Sequence, residues 1–126
     1  LGPPAWDALV TCLDAADKDA RGRAAHALLR IDLDRAEQRV WPIALGAEVP
    51  GKLKDRCREQ KQAVVPHLMK ALSCDDEVAR ANAAWLLGEL GHVGAISALR
   101  GLLGQDSSAS ARFQALWALD AVLQAP

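Results

Sequence analysis

The chain has 126 residues, 51% of them hydrophobic and 25% charged, the composition of one soluble globular domain or a short run of stacked repeats that buries roughly two thirds of its unfolded surface, which excludes disorder and collagen. Fifteen Lys plus Arg against sixteen Asp plus Glu leave a net charge of -1, so no chain-wide positive excess drives phosphate-backbone binding and a nucleic-acid role needs a local patch. Four Trp, one Phe and no Tyr, with Ala and Leu dominant, favour helix and leave little material for sheet packing.

The first unit, residues 4–33, reads as two helices in which Leu9 and Leu13 mark the first apolar face and Ala24, Ala25 and Leu28 the second. The second unit, 34–62, is about the same length and fits the pattern less well. Ala36, Val40, Ile43 and Ala44 make an apolar stripe, Pro42 falls in its first turn or kinks it, and Val49-Pro50-Gly51 is a turn signal. The following Lys52 to Lys61 helix has only Leu53 and Cys57 to turn toward a core.

The third unit, 63–93, has Val65, Leu68, Met69 and Leu72 at i, i+3, i+4, i+7. Ser73 to Asp76 can cap a helix starting near Glu77, and Gly91 suits its end. In the fourth unit, 94–125, Ile96, Leu99 and Leu103 carry the first helix, and Asp106-Ser107-Ser108 precedes the second.

Self-comparison ties these units together. At an offset of 59 residues Leu9 meets Leu68, Leu13 meets Leu72, Arg21 meets Arg80 and Leu28 meets Leu87. At 31 residues Leu68 meets Leu99, and at 32 Arg80 meets Arg112, Ala83 meets Ala115 and Trp85 meets Trp117. The extra residue falls in the linker 104–109, where an insertion belongs. A helix pair of this size cannot cover its own apolar face, so each must stack on its neighbours, with small alanines admitting close approach.

Residues 78–91, Val-Ala-Arg-Ala-Asn-Ala-Ala-Trp-Leu-Leu-Gly-Glu-Leu-Gly, followed by Ala95-Ile96-Ser97-Ala98-Leu99, resemble the HEAT repeat family, specifically the short repeats first associated with phycocyanobilin lyases. The resemblance implies an all-α, right-handed α-solenoid of about four helical hairpins. It also implies a concave face of second helices used for binding, most often to another protein. The whole chain, 1–126, is expected to be one such domain. Because it begins without Met, it is expected to be a piece of a longer protein.

Several residue groups are candidates for that face. His26, Trp85 and Trp117 share one repeat position and either form a contact ladder for a partner or fill the grooves between second helices; packing is the heavier reading because Trp is mostly buried even near surfaces. Arg21, Arg80 and Arg112 form a second ladder, with aspartates before each, and clamping one repeat to the next outweighs partner or phosphate binding. Asn82 and Gln114 stand three residues before each Trp. Lys52, Lys54, Arg56, Arg58 and Lys61 against Asp55 and Glu59 give a local +3 and leave -4 for the rest, first of all a solvated helix and second an acidic-partner or nucleic-acid patch. No aromatic residue interleaves these charges, which speaks against single-strand binding.

Three cysteines, Cys12, Cys57 and Cys74, are odd in number and without a CxxC pair, which fits a reducing cytoplasm. Cys12 is expected on an apolar helical face, and Cys74 beside Asp75 and Asp76 has a disfavoured thiolate. No run reaches membrane-spanning length. His26, His67 and His92 show no metal-ligand spacing and no nucleophile or dinucleotide motif is present, so neither a catalytic residue nor a cofactor is assigned. The expected role is a protein-binding or assembly scaffold, with end-to-end self-association through exposed terminal repeats as a further possibility; a bilin lyase or isomerase subunit and nucleic-acid binding through residues 52–61 are the alternatives.

Overall fold

The computed structural model of the chain describes residues 3–34 and 39–124. Ala36 of the second unit's stripe falls outside them.

Each long second helix begins where a polar turn meets an Ala- and Leu-rich run. A side chain of that turn takes up an N–H that the first helical turn leaves without a partner. Asp17 accepts from the Asp19 N–H at 3.0 Å ahead of α2 (Lys18–Ile31). The first helix paired with it is α1 (Pro3–Cys12). Asp76 accepts from the Val78 and Ala79 N–H groups at 2.8 and 3.3 Å ahead of α6 (Glu77–Leu90), and the Ser108 hydroxyl accepts from Ala111 at 3.2 Å in α8 (Ala109–Gln124). Gly91 closes α6 in the left-handed region at φ 63°, and the His92 N–H reaches back to the Leu87 carbonyl at 3.2 Å, the Schellman geometry that only glycine adopts without strain.

The other helices are α3 (Val40–Leu45), α4 (Gly51–Glu59), α5 (Lys61–Ala71) and α7 (Ile96–Gln105), the last entered through a 3-10 turn over Val93–Ala95. All eight α-helices among the described residues belong to one stack: α1 lies on α2, α5 on α6, α7 on α8, and α8 runs along α6. Ala79, Ala83 and Ala84 of α6 and Ala111, Ala115 and Ala118 of α8 are fully buried. The seam is so close that a Cβ added at Gly88 would stand 2.8 Å from the Ala118 Cα. Leu28, Leu45, Leu68, Leu87 and Leu99 continue the core from the first unit to the last.

The second unit departs from a simple hairpin. Its six-residue α3 lies between the N-terminal halves of α2 and α6. There a Cβ at Gly22 would stand 3.5 Å from the Ala47 Cβ, and the Asn82 amide donates to the Leu45 and Ala47 carbonyls at 2.7 and 3.2 Å. The C-terminal halves of α2 and α6 are bridged by α4 instead, with Arg56 donating to the Leu29 carbonyl at 2.8 Å and Arg58 paired with Glu89. Together α3 and α4 fill the space one second helix would take. Pro42 stands in the first turn of α3, where its missing N–H is not needed.

The basic helix expected over 52–61 is shorter than that. It ends at Glu59, and Lys61 opens α5 after a break at Gln60 (φ -116°, ψ 40°). A straight helix would hold Gln60 and Lys61 on the stripe of Leu53, Cys57, Val64 and Leu68, all buried; the break lifts the polar pair off that stripe. As expected, Leu53 and Cys57 are the residues α4 buries.

Candidate binding face of the second helices

The arginine ladder is built into the turns. Arg21 Nη1 donates to the Ala15 and Ala16 carbonyls at 2.8 and 3.0 Å, Arg80 Nη1 to those of Cys74 and Asp75 at 2.9 and 3.1 Å, and Arg112 Nη1 to that of Asp106 at 2.7 Å. Each guanidinium thus locks a turn onto the second helix that follows it. Arg80 also joins successive units, its Nε and Nη2 reaching the Asp106 carboxylate at 2.7 and 3.1 Å, a two-pronged pairing that suits the planar fork.

The Arg80 guanidinium holds the Asp106 carboxyl below the usual carboxylate range; burial opposes this and the Ser108 N–H assists. Because the folded value lies below the unfolded one, the pair contributes fully above about pH 4 and is lost as pH falls through the folded value. Asp106→Asn is expected to flatten the acid limb of the melting temperature against pH; an acid limb identical to that of the parent chain contradicts this linkage.

His26, Trp85 and Trp117 lie on α2, α6 and α8 in matching register. The Trp117 ring packs into the α6–α8 groove, its edge 2.9 Å from where a Gly88 Cβ would stand, yet it stays 38% exposed. Trp85 packs on the core, and the Lys54 ammonium sits 5.6 Å from its ring centroid, within cation–π range. His26 is half-buried, its Nε2 enclosed without a hydrogen-bond partner. Burial pulls its pKa below the ordinary histidine value, with the nearby Ala44 carbonyl opposing and Arg30 reinforcing, so the ring is neutral at pH 7. Gln114 is half-buried on α8, and Asn82 is committed to the end of α3.

The basic residues are not simply a solvated face. Lys54, Arg56 and Arg58 fasten α4 to α6, α2 and α6 respectively, while Lys52 is exposed. Sequence reasoning kept His26 and this helix apart, yet they meet across a pocket of about 170 Å³ lined by His26, Leu29, Arg30, Lys52, Leu53 and Arg56. Arg30 is the member it missed; its place one turn after His26 on α2 was the available signal. A wider cavity of about 590 Å³, lined among others by Lys18, Arg21, Gly46, Asp75 and Asp76, lies where the broken second unit leaves the flanking turns apart.

Cys12 is exposed, contrary to the apolar face expected for it; α1 ends there and Leu13 takes the buried position. Burial pushes the Cys57 thiol up to about 11. It also raises Cys74, with the Asp76 charge adding to the rise and the Asp76 backbone opposing it. Phe113, Leu116 and Leu123 on α8 are exposed. No helix among the described residues is long and apolar enough to cross a membrane.

Among curated proteins none matches the chain significantly. The family model for HEAT repeats matches residues 57–124, more than half of the sequence, running from the end of α4 through the two regular hairpins. With its capped helix pairs, alanine seam and ladder of turn-locking arginines, the chain belongs to the HEAT repeat family.

Proposed function

We propose that the chain is a protein-binding scaffold that receives its partner across the face of α2, α4, α6 and α8. HEAT repeats generally serve as protein-interaction scaffolds. The observation that carries the reading is the register of His26, Trp85 and Trp117 on successive second helices, with Trp117 left 38% exposed on a rigid array. Large side chains held at fixed pitch lose little freedom on binding, so a modest area gives useful affinity.

Trp85→Ala and Trp117→Ala are the test, each compared with the parent chain by circular dichroism and by quantitative capture of partner from the native cell. Binding is expected to weaken by about ten-fold, or about 1.4 kcal/mol, with helicity retained. Loss of helicity in step with binding in both variants assigns the tryptophans to packing alone and removes this support.

A further inference from the structure

The pocket between α2 and α4 has an apolar floor and a cationic rim. Leu29 and Leu53 are buried at its base, and Arg30, Lys52 and Arg56 stand around it with no carboxylate among its lining residues. Arg56 directs Nη1 to the Leu29 carbonyl, whereas Arg30 and Lys52 have no ion-pair partner among the described residues. Three like charges gathered over an apolar hollow repel one another unless an outside anion joins them.

The hollow, at about 170 Å³, has room for one aliphatic or aromatic side chain. We propose that it takes a single apolar side chain from an acidic segment of a partner protein, with carboxylates on either side of that side chain reaching Arg30, Lys52 and Arg56. This rests on the reading of the second-helix face as the protein-binding surface and names the chemistry of one of its contacts. A nucleic-acid strand fits less well. The rim offers no tryptophan, tyrosine or phenylalanine plane for a base to stack on, and beyond this patch the chain is net negative, which opposes a long polyanion.

The probe is a fluorescein-labelled Glu-Glu-Leu-Glu-Glu amide read by anisotropy, with versions carrying Ala for Leu or Gln for Glu, and a short single-stranded DNA in parallel. Lys52→Glu suits the test because Lys52 is exposed and an acidic side chain in the first turn of α4 favours that helix. The acidic leucine peptide is expected to bind saturably. Each altered peptide, and the Lys52→Glu chain with the original peptide, is expected to bind about ten-fold more weakly. Arg100→Ala, exposed on α7 and outside the pocket, should change peptide affinity by less than about two-fold.

Equal affinity for all three peptides, absence of saturable binding at about 1 mM peptide, or tighter binding of the DNA overturns the proposal. The two readings separate in the capture experiment. A partner released by Trp117→Ala and retained by Lys52→Glu removes the pocket and leaves the face, whereas a partner retained by every variant removes both.

Discussion

Arg80→Ala is expected to lower stability by about 2 to 3 kcal/mol, or roughly 10 °C in melting temperature for a chain of this size. The substitution removes two bonds to the Cys74 and Asp75 carbonyls and both prongs of the Asp106 pair. It leaves the Asp106 side chain, 7% exposed, without its counter-charge. The figure lies below that for a fully buried pair because the orphaned carboxylate, at the edge of a turn, regains some water. Differential scanning calorimetry at neutral pH measures it. A shift of a degree or less would mean that Arg80 does not join the third unit to the fourth. Arg80→Lys should recover only part of the loss, since an ammonium does not reproduce the planar fork.

Gly88→Ala sets two effects against each other. Helix propensity favours alanine by about 1 kcal/mol, so on local grounds the variant should be more stable. The α6–α8 seam reverses the sign: the new Cβ would stand 2.8 Å from the Ala118 Cα and 2.9 Å from its Cβ. A backbone atom cannot swing aside, so the two helices must move apart. The net cost is expected to be about 1 to 3 kcal/mol, read as a fall in urea midpoint. Gly101→Ala in α7 has open space around it and supplies the opposite sign, a gain of about 0.5 to 1 kcal/mol. A gain at both positions would show that the seam is wider than described.

Much of this fold was legible because its signals are local. The Asp76 cap, the Gly91 stop and the matched alanines each follow from a few neighbouring residues, and repetition in successive units reinforced them. The second unit was legible only as two helices with a shallow second one. Where α3 goes depends on Gly22 and Asn82, distant residues whose role appears only when α2 and α6 flank Ala47. The break at Gln60 likewise follows from what α4 and α5 must bury.

The candidate site divides in the same way. The register of His26, Trp85 and Trp117 could be read from self-comparison. The arginine ladder's carbonyl partners, five and six residues upstream, could not, because backbone oxygens carry no sequence signal. The meeting of His26 and Arg30 with Lys52 and Arg56 requires α4 to lie beside α2, a placement set by tertiary packing.

The broken second unit lies between α2 and α6, and this placement makes the second helices one face. A disulfide between Gly22→Cys and Ala47→Cys tests it, since the Cβ positions are 3.5 Å apart, at the close end of disulfide geometry. Oxidation of the double variant, followed by peptide mapping with mass spectrometry, is predicted to give an intramolecular link between these two positions with helicity unchanged. Links only to Cys12, Cys57 or Cys74, or only between chains, would contradict it.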